Sequence, residues 1–482
     1  MSISDEVTKL SHELLGNKAM GPRNLSSIEE LVIPEKSKRH RGKYSSDSED
    51  LSDIEVLPEY EFILGAVKIG CPSFFVTGKA GTGKSTLVKW LSTQIEGCAI
   101  VCPTAIAAVN VKGDTIHSFF GLPPNLFDPE MNFHTRDNTH VLLANLKLLI
   151  IDEISMVLPN MVDAMSNILK RVRRSSQPFG GVPTLFVGDL LQLPPVVSSK
   201  EASIYFSDRY KSPHFFSADI FEQQDIIPVH LTQVRRQADI EFIEALNHIR
   251  LGWDHRDHVA FFNRSCYLDK KRERETETEG TVLVPTNAAA KRINTLKLND
   301  LSGQLHVYNA EITGRVPANK WKLPVPDRLE LKVGAKIILL KNNKPHWVNG
   351  DLAEIVGLEH DLIRVRKLST HNVLVVNKTD WEKLKYTYDY QSKKIEKEVV
   401  GTFRQFPMAL GWAITIHKSQ GMTMEELTLD LGSGAFCEGQ TYVALSRAKT
   451  LEGITLAQPI KMQDVIVNPI VLDFYEKLGI EN

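Results

Sequence analysis

The segment Gly78-Lys79-Ala80-Gly81-Thr82-Gly83-Lys84-Ser85 constrains this chain more than any other, because of what stands on either side of it. A continuous apolar run, Ser73–Thr77, leads into it, and an amphipathic pattern from Ser85 to Leu91 leads out. A strand, a glycine-rich turn and a helix in that order are the opening of an α/β unit with a parallel sheet. Ala99–Cys102, Lys147–Ile151 and Thr184–Val187 are further apolar runs that end in Pro, Asp or Gly, as strands buried on both faces do. A second set follows at Thr281–Val284, Leu427–Leu431 and Gly453–Leu456, which predicts a second α/β sheet.

The chain has 482 residues, too many for one ordinary core and enough for two to four domains. Residues 1–56 stand apart. Lys36, Lys38, Arg39, Arg41 and Lys43 form a basic cluster, followed by an acidic, serine-rich run from Ser45 to Glu55. Neither block buries much apolar surface, so a disordered tail is expected, with the basic cluster as a nuclear import signal if the source is a eukaryote. From Leu331 to Arg404 short alternating segments replace helical periods, which predicts an inserted β-barrel over 331–404. No apolar run approaches the roughly 20 residues of a membrane helix, and no secretory leader opens the chain, so an intracellular protein is expected. The five cysteines lack zinc-site spacing and read as small core residues. A net charge of −2 calls for a locally basic groove, not a basic whole, if the partner is nucleic acid.

The glycine-rich segment matches a phosphate-binding loop. Its glycines let backbone N–H groups of Gly78, Lys79, Ala80, Gly81, Thr82 and Gly83 curl round a phosphate at a helix N-terminus, with Thr86 one residue further on. Lys84 supplies a point charge to the β- and γ-phosphates of ATP, and Ser85 a hydroxyl to Mg²⁺. Asp152 and Glu153, at the end of a buried strand, are expected to hold Mg²⁺ through water and to act as general base, respectively. Gln192, in Gly188-Asp-Leu-Leu-Gln-Leu-Pro-Pro195, is an uncharged group placed to sense the γ-phosphate. Arg236 and Arg447 are candidates to complete the site from a second domain, so that hydrolysis follows the opening and closing of a cleft.

At this density of motifs the chain resembles the Pif branch of superfamily-one DNA helicases, related to RecD-like motors. The likeness covers roughly residues 57–460. It rests on Gly78–Ser85, Pro103-Thr104, Thr115 to Gly121, Ile151 to Ser155, Gly188 to Pro195, Leu231 to Gln237, Val348 to Asp351, Trp412 to Gly421 and Gly439 to Arg447. The resemblance implies an α/β fold of two RecA-like motor domains, at 57–233 and at 234–330 with 405–482. It also implies a wedge insertion at about 116–145 and an SH3-like character for the 331–404 barrel. It implies 5′-to-3′ movement on single-stranded DNA by a monomeric, ATP- and Mg²⁺-dependent motor that unwinds tailed or forked duplex. Carried over residue by residue, Arg236 and Arg447 become arginine fingers, Gln192 the coupling residue, and Gln440 and Glu61 nucleotide contacts. Pro103, Thr104, His117, Ser118, Phe119, His417 and Lys418 lie in segments that contact DNA in the family. Two positions depart from its pattern. Glu61 stands where a glutamine reads adenine, and a carboxylate accepts from the amino group without donating to N7, which loosens ATP-over-GTP discrimination. Ala105 replaces a glycine after Pro-Thr.

Two other function classes compete. A phosphotransferase without nucleic acid leaves Gln192, the second sheet and Arg447 unexplained. A non-enzymatic clamp with a relic nucleotide site leaves the intact set of Lys84, Ser85, Asp152, Glu153, Arg236 and Arg447 unexplained.

Overall fold

The computed structural model describes residues 55–480, apart from 72, 124–125, 134–136, 198, 224–225, 234–238, 254, 268–279, 315–322, 342, 344, 348 and 390–393. The basic cluster Lys36 to Lys43 and Arg236 therefore lie outside the described residues.

Six strands form the first sheet: β1 (Ser73–Gly78), β2 (Cys98–Cys102), β3 (Asp114–Thr115), β4 (Leu148–Asp152), β5 (Thr184–Val187) and β6 (Ile227–Leu231). Their order is β3-β2-β4-β5-β1-β6, and every pairing is parallel. The apolar runs become the four inner strands because helices cover both faces, and β1, β4 and β5 are buried at every residue. The chain reverses direction in sheet order beside β1, so the loops after β1, β4 and β5 gather at one carboxyl edge. Short polar caps fix where the helices start. Thr104 Oγ1 accepts from Ala107 N at 3.2 Å, and Asp239 Oδ1 accepts from Glu241 and Phe242 N.

The second sheet is also parallel, in the order Ala413–Thr415, Thr281–Val284, Leu427–Leu429, Ile454–Leu456. Between its first two strands in sequence lies an antiparallel β region that is larger than the expected 331–404. A five-stranded sheet runs from Val373–Asn377 through Leu362–Lys367, Leu352–Leu358 and Lys336–Leu339 to Met408–Leu410. The pairs His306–Asn309 with Arg328–Leu331, and Glu311–Gly314 with the long hairpin Thr379–Asp389/Lys394–Gln405, extend it. Leu298, Tyr308, Leu331, Ile337, Trp347, Ile355, Val365 and Phe406 share its core. Trp347 is thus a core residue, its Nε1 donating to Lys341 O at 2.8 Å.

Within the expected wedge segment of the first domain, Phe120, Leu122, Phe127, Leu142 and Leu143 are buried in that domain's core. The last helix, Pro469–Lys477, grouped by sequence with the second motor domain, packs on the first. Tyr475 and Phe474 join Phe75, Phe186 and Phe215 in one aromatic cluster with ring centroids 5.5 to 6.0 Å apart. Such pairs add about 0.5–1.5 kcal/mol each beyond buried area, which decides where the helix docks. Tyr475 Oη also meets Thr77 Oγ1 at 2.8 Å and accepts from Leu190 N at 3.0 Å. The helix Pro469–Lys477 is thereby stitched to the end of β1 and to the loop after β5.

A second seam holds the domains together. Buried His214 of the first domain faces Asn468 Nδ2 at 3.2 Å and Glu438 at 3.7 Å, and Asn468 donates to Glu438 Oε1 at 2.9 Å. Burial pulls the His214 imidazole down to about 4 from 6.5. Between those values the unfolded chain binds a proton that the folded chain refuses, so stability is present above about pH 6.5 and is lost as pH falls toward 4. Thermal melting between pH 4 and 7 should show this loss in the wild type and a shallower one in His214→Gln. Equal slopes would contradict it.

Candidate functional site

Every sequence-predicted catalytic group of the first domain lies at the carboxyl edge of its sheet. The phosphate loop leaves β1 and enters the helix Lys84–Gln94. Gly83 has φ +93°, and a Cβ there would strike the Tyr60 hydroxyl, which donates to Gly83 O at 2.9 Å. Only glycine fits this turn. The Tyr60 ring lies tilted against Trp90, and its hydroxyl pins the helix Pro58–Lys68 to the loop. Its neighbour Glu61 is exposed. The Lys84 ammonium curls back to donate to Gly78 O at 2.7 Å and Lys79 O at 3.0 Å, occupying the hollow a phosphate would fill. Ser85 is exposed in the first helical turn and Thr86 half-buried behind it.

Asp152 ends β4, with Oδ1 accepting from Glu153 N at 2.9 Å. Glu153 adopts φ +54°, a left-handed conformation that costs a non-glycine residue about 1–2 kcal/mol. Strain of this kind at a strand end is held by surrounding structure and gathers at functional sites. Burial, then the charge of Glu153, pushes the Asp152 carboxyl up. Burial also raises Glu153, with Lys84 and Arg447 pulling the other way. A cation between these carboxylates and bound phosphates would relieve that cost. The exposed Ser85 hydroxyl and Asp152 fit Mg²⁺, and the looped N–H groups with Lys84 fit a triphosphate.

Asp189 and Gln192 follow β5. Asp189 is buried and takes two bonds from Arg250, Nη2 to Oδ1 at 3.0 Å and Nε to Oδ2 at 3.3 Å. Burial would raise its carboxyl, but Arg250 and then Lys84 more than offset that and hold it below its usual range. Gln192 Nε2 donates to Asp189 Oδ2 at 3.3 Å. Arg250 sits in the last turn of the helix Ile240–Leu251 and lies over the Tyr475 ring at 5.8 Å.

Besides the Arg250–Asp189 pair, the second domain reaches the same place through three further contacts among the described residues. Ala80 N of the phosphate loop donates to the Tyr442 hydroxyl at 3.0 Å. Gly439, at φ +67°, lies so close to the Leu191 and Gln192 carbonyls that a Cβ would collide with both. Gln420 Nε2 donates to Glu153 Oε2 at 3.0 Å and approaches Gln192 Oε1 at 3.4 Å. Arg447 is buried behind them. Its Nε donates to Val443 O at 2.9 Å and its Nη2 to Ser446 Oγ at 2.8 Å, so it faces its own domain here while its charge is felt by Glu153. Gln440 is buried at the helix start; its Oε1 accepts from Phe436 N at 3.0 Å, and its Nε2 has no partner among the described residues.

The expected DNA segments border this seam from both domains. Pro103-Thr104 follows β2 and His117-Ser118 follows β3, at neighbouring strand ends. Across the seam His417 is half-buried and Lys418 exposed, and Gly421 of the same turn lies beside Asn110. Phe119 requires a correction. In the helix Ile116–Phe120, residues 116, 119 and 120 share the inner face, so Phe119 is packed edge-on against Phe120 in the core and offers no face to a base. Tyr60, Arg250, Gln420 and Tyr442 escaped the sequence reading. Only Gln420 and Tyr442 stood inside motifs that could have flagged them.

Comparisons with known proteins point to one family. The description of PIF1-like helicases matches residues 59–258. ATP-dependent DNA helicase Pif1 of Bdellovibrio bacteriovorus is 30% identical over 434 residues, covering 88% of this chain and 92% of that protein. The chain spans 57–67% of the length of the eukaryotic relatives it matches. The crystal structure of Bacteroides sp. Pif1 in complex with ADP-AlF4 is 35% identical, with a TM-score of 0.81 over 89% of this chain and 98% of that one. The Bacteroides Pif1 bound to single-stranded DNA superimposes less closely, with a TM-score of 0.64 at 35% identity over 88% of this chain and 97% of that one.

Glu153→Gln should keep nucleotide affinity and lose turnover by about 10²–10⁴-fold. Lys84→Ala should lose both. Equilibrium binding of a fluorescent ATP analogue beside steady-state hydrolysis checks the pair, and normal hydrolysis by Glu153→Gln would remove that residue from its role.

Proposed function

The chain belongs to the PIF1-like helicase family, and from this premise we propose that it is an ATP-dependent DNA helicase moving 5′ to 3′ on single-stranded DNA. The observation that carries the reading is the composite site. Tyr442, Gln420 and Gly439 of one domain touch the phosphate loop, the general-base candidate and the Gln192 loop of the other. A site assembled from two domains is complete only in particular arrangements of them, which is what converts hydrolysis into movement. The matching two-domain RecA-like fold of the Bacteroides protein supports the same conclusion.

Bound ATP supplies the phosphoanhydride that breaks, and Mg²⁺ neutralises its charge. The protein's part is positioning and proton transfer. Lys84 would exchange the Gly78 and Lys79 carbonyls for the β- and γ-phosphates, with Gly81, Thr82 and Gly83 lending N–H groups. Ser85 and Asp152 would hold Mg²⁺. Glu153 would take the proton of the attacking water, and Gln192, fixed by Asp189, would sense the γ-phosphate. Arg447 would turn from Val443 O toward the developing charge, joined by Arg236. Glu61 and Gln440 are proposed nucleotide contacts, Glu61 giving looser ATP-over-GTP discrimination.

Single-stranded DNA would lie along Pro103, Thr104, His117, Ser118, His417 and Lys418, on contacts to the backbone that are indifferent to sequence. Tailed or forked duplex is the proposed unwinding substrate, and a monomer the proposed motor. An SH3-like barrel is the proposed character of the β insertion. No helix among the described residues is long and apolar enough to cross a membrane. In a eukaryotic source the Lys36 to Lys43 cluster would direct nuclear import.

On paired tailed duplexes the protein should unwind the 5′-tailed one and leave the 3′-tailed and blunt ones intact. Arg447→Ala should lower ATP turnover by on the order of 10³-fold while keeping DNA affinity. Unwinding of the 3′-tailed substrate alone would overturn the direction. A turnover untouched in Arg447→Ala would overturn the composite site.

A further inference from the structure

Gln420 occupies a position that its motif neighbours do not explain. It stands two residues after Lys418, on the turn between Thr415 and Met422, yet its side chain points away from the proposed DNA path and into the hydrolytic centre. There its Nε2 donates to Glu153 Oε2 at 3.0 Å and approaches Gln192 Oε1 at 3.4 Å. The bond joins residues 267 positions apart, and it runs from the second domain to the first.

The surrounding contacts make this one end of a continuous chain of polar bonds. Arg250 holds Asp189, Asp189 accepts from Gln192 Nε2, and the Gln192 carbonyl faces Gln420, which holds Glu153. All these side chains are buried or partly buried, so no competing water bath weakens the bonds. The consequence falls on Glu153. A general base needs a carboxylate oxygen free and aimed at the water whose proton it takes. Here one oxygen is engaged by an amide N–H, and the side chain is tethered toward the second domain.

The turn is braced by its own hydrogen bonds. Ser419 N donates to Thr415 O at 3.1 Å, Lys418 N to Thr415 Oγ1 at 3.2 Å, and Ser419 Oγ to Ile416 O at 2.8 Å. Its outer side presents half-buried His417 and exposed Lys418, and its inner side presents Gln420. These bonds link the outer side to the inner one. The same turn braces the arginine, since Arg447 Nη1 lies 3.5 Å from the carbonyls of Ser419 and Met422. One displacement would loosen both Gln420 from Glu153 and Arg447 from its parking place.

We propose that Gln420 is a positioning residue that restrains Glu153 in the DNA-free protein, and that single-stranded DNA engaging the His417–Lys418 side of the turn lifts this restraint. DNA stimulation of ATP hydrolysis is then the release of a built-in brake. Only the release step rests on the helicase reading above; the restraint rests on the Gln420–Glu153 contact.

The test uses the full chain and compares the wild type with Gln420→Met, which keeps volume and removes the donor. Steady-state kcat and KM for ATP are measured with and without a saturating oligothymidylate, and affinity for a fluorescent ADP analogue confirms an intact nucleotide site. Removing a hydrogen bond to a charged group should raise DNA-free kcat by about tenfold at unchanged KM. The DNA-saturated kcat should stay near the wild-type value, so the stimulation factor shrinks accordingly. Should Gln420→Met bind the ADP analogue poorly, Gln420→Ala is read by the same measurements. A DNA-free kcat that is unchanged or lower, with ADP-analogue affinity intact, overturns the restraint. A wild-type turnover indifferent to the oligothymidylate overturns the release step and the helicase reading, while a rise in DNA-free kcat in Gln420→Met still supports the restraint.

Discussion

The buried ion pair of Asp189 and Arg250 is the interaction on which the rest of the site depends. Both side chains are almost fully withdrawn from solvent, at 0% and 1% exposure, and each unpaired would cost several kcal/mol. They are tolerated because the pairing uses two bonds and because each partner has further duties. Asp189 steadies Gln192 and balances Lys84, while Arg250 lies over Tyr475. The helix whose last turn holds Arg250 buries Phe242, Ala245 and Ile249 in the second domain's core, so the pair couples that core to the carboxyl edge of the first sheet. An aliphatic pair of equal volume could match its stability but could not hold Gln192 in register.

From that anchor the geometry extends in two directions. Toward the helix Pro469–Lys477, Tyr475 joins Thr77 and Leu190, so the end of β1 and the loop after β5 are tied to that helix. Toward the second domain, Tyr442, Gly439 and Gln420 bring three separate segments onto the phosphate loop, the Gln192 loop and Glu153. The Tyr442 bond is neutral and worth about 0.5–1.5 kcal/mol, the Gln420 bond to the Glu153 carboxylate about 1.5–3 kcal/mol, and Gly439 adds only a close backbone approach. Contacts of that size hold an arrangement without locking it, as a motor that reopens every cycle requires.

The sequence made the catalytic edge legible and left its supports hidden, for a physical reason. Phosphate binding demands particular residues at fixed local spacing, so Gly78 to Ser85 can be read directly. Ser73–Val76 and Leu148–Ile151 are legible as strands because burial on both faces leaves no polar interruption. Ile227–Leu231 carries Pro228, Asp114–Thr115 is two residues long, and Ala413–Thr415 is hidden inside a motif, so none shows a strand period. Arg250, Tyr475 and Tyr442 act across 61, 398 and 362 positions, separations that no local pattern records. Phe119 was assigned with its segment to DNA by family resemblance, which does not say which of two adjacent phenylalanines turns inward. The helix Ile116–Phe120 decided for the interior.

The central claim is that nucleotide and DNA act on one shared arrangement of two domains. Affinity for single-stranded DNA, measured with the full chain alone and with ADP-AlF4 bound, tests it most directly. Linkage requires the two ligands to change each other's affinity by the same factor, on the order of 5- to 150-fold for couplings of this kind. A DNA dissociation constant that shifts within this range, with an equal shift in ADP-AlF4 affinity when DNA is bound, is the predicted result. Two affinities that ignore each other would contradict the account.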